Sequence, residues 1–337
     1  MIMTRDESRK ARLVGLGVAA FLLVLFVVSL AAGDVSLSLT QAVGELFHEQ
    51  DPVAGLIVRE IRLPRAILAI LVGASLGMSG AALQGLLRNP LAEPGIIGVS
   101  SSAALGAVIT FYFGLSAVFP LALPLGGIAG ALLAVMLVYA LAGRFGSILT
   151  IVLAGVAVSS FAGALTALAL NLAPSPYAAL EIVFWLLGSL ADRSFEHIML
   201  AAPVMAAGWV LILSASRALD ALTLGEETAQ TLGFDLRLVQ FQVIVGTAFC
   251  VGAAVSVTGG IAFVGLVVPH LLRPLVGHVP SKLLPVSAVG GAALLLVADI
   301  AVRVISAGPE LKVGVLTALI GAPFFLYLIV TMRRDRT

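Results

Sequence analysis

Charge is what this chain has least of. Asp, Glu, Lys and Arg make up 11% of its 337 residues, against about 25% in soluble domains. Between Pro94 and Gly143 there is no charged residue at all. With a mean hydropathy of +1.14, the chain belongs in a membrane rather than in solution. Cysteine is nearly absent. Cys250 stands alone in an apolar run, which excludes an intrachain disulfide and a cysteine metal site. The histidines, His48, His197, His270 and His278, are scattered without metal-ligand spacing. No GxxxxGK[ST] phosphate loop occurs, so any ATP hydrolysis that drives the protein resides on another chain. A net charge of +1 gives no footprint for nucleic acid. Acids within the apolar runs are also scarce, which argues against a proton relay and so against an ion-coupled secondary transporter.

What remains is a series of apolar runs, most about 20 residues long and able to cross a hydrocarbon core of about 30 Å. Read in order, they predict ten spans at about 13–32, 63–86, 95–115, 122–142, 147–170, 196–216, 238–257, 261–275, 284–302 and 313–332. The charge-free stretch holds two of them and reverses at Phe119–Pro124, where two prolines break the pattern. Ile182–Ala191 is too short to cross and reads as a helix in the outer interface, with Trp185 at the boundary. The first run is longer than a signal-peptide core and lacks a convincing cleavage site, so it reads as a span that stays.

Arg5, Arg9, Lys10 and Arg12 place the tail 1–12 in the cytosol by the positive-inside rule. Ten spans return the tail 333–337 to the same side. Of the 19 Lys and Arg residues, only Arg59, Arg62, Arg65, Arg193, Arg303 and Lys312 fall outside on this path. The transmembrane domain is thus 13–332, with an acidic outer segment at 33–60. Gly73, Gly77 and Gly80 recur on one helical face and predict close helix packing.

The polar island at 217–237 interrupts this pattern. Arg217, Asp220, Glu226, Glu227, Asp235 and Arg237 cannot sit in hydrocarbon, so the segment is a cytosolic loop. Leu222, Ala229 and Leu232 fall roughly on one helical face, with Glu226, Glu227 and Gln230 on others. Gly233 sits where a helix C-cap would. The pattern admits two readings, a solvated connector or a surface that a cytosolic motor grips.

Arg62 and Arg65, with Arg59 nearby, lie at the outer mouth of the second span, and Arg303 at the outer end of the ninth. Each alone reads as interfacial snorkelling. Together they also suit pockets for a partner's carboxylates, which Arg binds bidentately. Asp299 and Arg303 are spaced i, i+4 and satisfy each other. Glu93 reads as a cap for the third span or part of an inner gate. Asn89–Ser101 and Gly259–His270 are Gly/Pro-interrupted segments at corresponding places after the second and seventh spans, a sign of inverted repeats around a transport path.

Several stretches carry a family resemblance: Arg62–Gly106 (RLPRAILAILVGASLGMSGAALQGLLRNPLAEPGIIGVSSSAALG), Leu224–Gly233 (LGEETAQTLG), Gly259–Arg273 (GGIAFVGLVVPHLLR), Leu294–Arg303 and Glu310–Ile329. In this order they resemble the FecCD-type permeases of binding-protein-dependent ABC importers for iron chelates, haem and cobalamin. The resemblance implies an all-α polytopic protein with the inverted-repeat type II importer fold, ten helices per subunit. It also implies a bacterial inner-membrane homodimer with the path on its two-fold axis.

The implied partners are two cytosolic ATPase subunits, which carry ATP and Mg, and one periplasmic binding protein. This chain itself would bind no cofactor and no metal, and would be no enzyme. The ATPase-coupling residues implied are Leu224, Gly225, Glu226, Glu227, Ala229, Leu232 and Gly233. Binding-protein docking is implied at Arg62, Arg65 and Arg303. An inner gate is implied at Asn89, Pro90 and Leu91, with Ser147–Thr150 as its second half. Asn171–Ser194 and Pro269–His278 are most similar to the haem-uptake members, with ferric siderophore and then cobalamin as the alternative cargoes.

Overall fold

A computed structural model describes residues 5–33, 35–48, 51–119, 121–143, 148–305 and 311–334. The described residues form helices and connecting turns. Ten helices carry the architecture: α1 (Arg5–Ala31), α2 (Leu63–Leu86), α3 (Val99–Tyr112), α4 (Ala122–Ala142), α5 (Ile148–Asn171), α6 (Phe195–Ser214), α7 (Leu236–Thr258), α8 (Val264–Val276), α9 (Pro280–Ile305) and α10 (Val313–Arg334). Eight of them are long and apolar enough to cross a membrane. The exceptions are α3 and α8, with 14 and 13 residues, or about 20 Å at 1.5 Å per residue.

The sequence predicts full spans at these two places, and the broken backbone explains the difference. Pro94 opens a single 3-10 turn, Pro94–Ile97, and Gly98 at φ 83° ends it before α3 begins. After α7, residues 259–262 are not helical, and Phe263 at φ 68° caps α8. Each short helix is thus entered through one left-handed residue, a glycine in one half of the chain and a phenylalanine in the other.

Other boundaries shift for local reasons. The outer segment contains two helices, Leu39–Phe47 and Pro52–Leu56; its Asp34 and Glu49 lie outside the described residues. Asp51 caps the second through its carboxylate, which accepts from the Val53 N–H at 2.9 Å. That helix runs through a π-helical stretch, Ile57–Arg62, directly into α2. The helix expected at 182–191 lies earlier, at Pro176–Leu186, because Ser175 caps it and Pro176 opens it. Gly188 at φ 77° then turns the chain away. The tail expected at 1–12 continues α1 from Arg5 onward.

At the centre stand α2, α7 and α9, whose buried residues dominate the main apolar core. By contrast α1, α4, α5, α6 and α10 expose leucine, valine and phenylalanine side chains on their outer faces, the pattern of helices bathed in lipid. The contact of α2 with α9 and α8 runs along the glycine face. A Cβ on Gly73 would stand 2.3 Å from the Gly291 carbonyl oxygen, and one on Gly77 2.2 Å from that of Ser287. Cys250 is buried between α7 and α6, its thiol facing the Met205 carbonyl at 3.8 Å.

Candidate transport and coupling sites

The polar island folds as two short helices rather than one amphipathic face. Ser216–Leu222 follows α6 after one residue and buries Leu219 and Leu222. Its Asp220 carboxylate accepts from the Ser281 N–H at 2.8 Å, satisfying a free donor in the first turn of α9. The chain then breaks at Gly225, φ 110° and ψ 157°, a conformation open in practice only to glycine.

The second helix, Glu226–Thr231, presses Ala229 fully into the protein. Leu232 does not share that face. Together with Leu224 it is more than half exposed, because the helix ends before it. The Gly233 N–H donates to the Gln230 carbonyl at 2.9 Å, and that of Phe234 to the Ala229 carbonyl at 3.1 Å. With Gly233 at φ 87° this is a Schellman ending, so the glycine closes the helix as its position foretells. Two bare leucines flanking two exposed acids give this loop an apolar and acidic knob.

At the same end of α2 lies the segment Asn89–Leu91. The Asn89 side chain accepts from the Leu91 N–H at 3.0 Å, and its backbone carbonyl accepts from that of Ala92 at 3.1 Å. Gln84, buried in the last turn of α2, donates to the carbonyls of Ala92 and Gly265, both at 3.4 Å. It accepts in turn from the Arg273 guanidinium. Glu93 caps neither its own 3-10 turn nor α3. Its carboxylate accepts from the Phe263 N–H at 2.9 Å, at the start of α8 in the other half of the chain. The two interrupted segments are therefore bonded to each other. Between them opens a cavity of about 730 Å³, walled by Leu76, Glu93, Pro94, Gly260, Ile261 and Ala318. Of the stretch expected as the second half of a gate, Ser147 lies outside the described residues, and Thr150 stands in the first turn of α5.

The outer arginines gather at the opposite end of α2, about 36 Å away by helix rise, but not as open pockets. Arg62 and Arg65 are nine-tenths or more buried. Arg65 Nε donates to Asp299 Oδ1 at 2.8 Å. Arg303 Nη2 stands 2.9 Å from Asp299 Oδ2, a charge contact rather than an aligned hydrogen bond, while it donates to Ser29 Oγ at 2.6 Å.

The remaining donors cap α1, whose last turn has no basic residue of its own. Arg62 donates to the carbonyls of Leu30, Ala31 and Val35, and Arg303 to those of Ser29 and Ala32. Cations there satisfy orphan carbonyls and complement the helix dipole. The i, i+4 pairing of Asp299 with Arg303 is as the spacing suggests. Its third member, Arg65, is 234 positions away from Asp299.

A bundle of membrane-length helices, two half-length helices that both line one cavity, and an apolar and acidic knob at one end suit a transport permease. Comparison with known proteins agrees, and the chain belongs to the FecCD transport family, matched over residues 21–331. It is 43% identical over 283 residues to the cobalamin import system permease protein of Halobacterium salinarum, covering 84% of this chain and 74% of that one. It is 37% identical over 280 residues to the hemin transport system permease protein of Yersinia pestis, covering 82% and 84%. A solved structure described as an inward-facing conformation of a metal-chelate type ABC transporter superposes with a TM-score of 0.84 at 34% identity, over 94% of this chain and 98% of that one.

Proposed function

We propose that this chain is the membrane subunit of an ATP-driven importer of haem, acting as a homodimer in a bacterial inner membrane with both termini cytosolic. The observation that carries the importer reading is the placement of the knob and the Asn89–Leu91 segment at one end of the central helix α2. Two ATPase subunits, holding ATP and Mg, grip Leu224, Gly225, Glu226, Glu227, Ala229, Leu232 and Gly233 of the two copies. A periplasmic binding protein docks over the other end, around Arg62, Arg65 and Arg303. Because those guanidinia are committed inside the chain, their part in docking is to hold the rim rigid rather than to reach out to the partner.

Asn89, Pro90 and Leu91 close the path on the cytosolic side. ATP-driven approach of the motors shifts the equilibrium between outward- and inward-open forms. That shift requires a difference in affinity between the two states, and a cavity whose wall offers one carboxylate and one hydroxyl among apolar residues binds cargo only weakly in either.

Haem as the cargo rests on the resemblance of Asn171–Ser194 and Pro269–His278 to haem-uptake permeases and on the hemin relative. Cobalamin is the second reading, favoured by the higher identity to the Halobacterium relative. The deciding experiment is uptake into proteoliposomes containing the chain with its cognate ATPase and binding protein, offered haem, cobalamin and a ferric siderophore in turn. ATP-dependent accumulation of haem alone is expected. Accumulation of either other cargo overturns the haem assignment and leaves the importer reading standing.

Coupling has its own test in Gly233→Val. Nothing lies within 4 Å of a Cβ placed on Gly233, so the cost is confined to the left-handed backbone, about 1–2 kcal/mol. The fold should survive and the Schellman turn should not. Retention of the ATPase through purification should drop several-fold while the yield of folded permease stays unchanged. Full retention would show that the knob is a bystander.

A further inference from the structure

We propose that Arg88 is a positioning residue that ties the coupling helix Glu226–Thr231 to the gate segment Asn89–Leu91. The inference rests on the coupling and gate roles proposed above and names the connection between them. Arg88 follows directly on α2. Its N–H donates to the Gly85 carbonyl at 3.4 Å, and that of Asn89 to the Gln84 carbonyl at 3.2 Å. These two bonds form the same Schellman ending that closes the coupling helix. There the left-handed position is filled by Gly233, whereas here it is filled by an arginine at φ 47°. A glycine would take that conformation without strain.

What the arginine adds is its side chain. Arg88 Nη2 donates to Glu226 Oε1 at 3.2 Å, with both side chains about half exposed. Pairs this exposed add little to stability, so the bond does not offset the strain as a staple would. Its value lies in what it joins. Glu226 is the first residue of the coupling helix, next to the hinge at Gly225. Asn89 and Ala92 beyond Arg88 are held in one unit by the Asn89 turn and by Gln84. A displacement of the coupling helix therefore pulls on Arg88, and the gate segment follows as a body. Strain retained at one residue between two moving parts is the pattern expected of a functional contact.

The test needs no knowledge of the cargo. In the complex with the cognate ATPase and binding protein, Leu91→Cys is labelled with a maleimide, without nucleotide and after trapping with ATP, Mg and vanadate. The change in labelling rate between the two conditions reports gate movement. Arg88→Gln should shrink that change by about two- to fivefold, the scale of one exposed charge pair, with the ATPase still bound. In a Glu226→Gln background, Arg88→Gln should add nothing, because the shared contact is already gone. Arg88→Gly should uncouple the gate equally and yet raise the thermal unfolding midpoint above that of Arg88→Gln by about 1–2 °C. A purely structural arginine would not separate those two readouts. An undiminished labelling change in Arg88→Gln, or losses from Arg88→Gln and Glu226→Gln that multiply, overturns the tie. A wild-type chain that does not retain the ATPase sinks instead the coupling reading beneath it.

Discussion

Asp299→Ala should leave almost no folded permease in the membrane. Asp299 is fully buried and is the carboxylate that both Arg65 and Arg303 face. Its removal takes a buried carboxylate away from two guanidinium groups at once, in a medium that solvates charge poorly. Breaking one side of a buried ion pair costs about 3–5 kcal/mol, and here one carboxylate faces two cations. The damage reaches further, because Arg303 also caps the carbonyls of Ser29 and Ala32 at the end of α1. If Arg303 shifts toward water, α1 loses one of the two arginines that cap it. Asp299→Asn should do nearly as badly, since it keeps the shape and discards the charge. Fluorescence-detected size exclusion of a tagged chain measures the outcome directly. A monodisperse peak of wild-type height for Asp299→Ala would mean that the cluster adds little to the fold.

Gly80→Val is expected to be comparably destructive through contact alone. A Cβ there would stand 1.8 Å from the Gly265 carbonyl oxygen and 2.5 Å from the Gly265 Cα. No side chain can move aside, because the obstacle is backbone. Relief requires α8 to withdraw by about 1.5 Å, the distance from that overlap to ordinary van der Waals contact. Overpacking in a fitted core typically costs about 1–3 kcal/mol, and an unyielding helix backbone places this site beyond the usual range. Withdrawal would also break the bond from Gln84 to the Gly265 carbonyl and open the seam beside Glu93. Gly163 in α5 is the control, since a Cβ there meets nothing within 4 Å. Gly163→Val should be tolerated in the same assay in which Gly80→Val yields aggregate. Equal yields from the two would refute the packing argument.

These two sites mark what the sequence makes legible and what it hides. The glycine face of α2 is visible because helix period and residue size suffice to see it. The pairing of Asp299 with Arg303 is visible for the same reason, being local. Arg65 joins that pair from 234 positions away, and no local pattern carries such a contact. Arg62, Arg65 and Arg303 draw attention as positive charge on the disfavoured side of the membrane. That rule cannot distinguish a cation offered to a partner from one spent on the carbonyls of a neighbouring helix. Hydropathy finds the eight long helices but overextends α3 and α8, since an apolar non-helical segment such as 259–263 scores like a helix. In the knob, Gly233 announces its turn, whereas the helix stops at Thr231 and leaves Leu232 off the face that helical spacing assigns it. Glu93 is conspicuous as an acid between apolar runs, but its partner, the Phe263 N–H, is a backbone group and invisible to composition.

The burial of Cys250 has a practical side. The chain's one native thiol is sealed between two helices with its sulfur turned to a carbonyl, out of reach of water-borne reagents. The wild-type protein thus serves as its own unlabelled blank. Spin labels, fluorophores or crosslinkers can be installed one engineered thiol at a time on the knob, on Asn89–Leu91 or near Arg62 and Arg303, with no background mutation to remove a competing site.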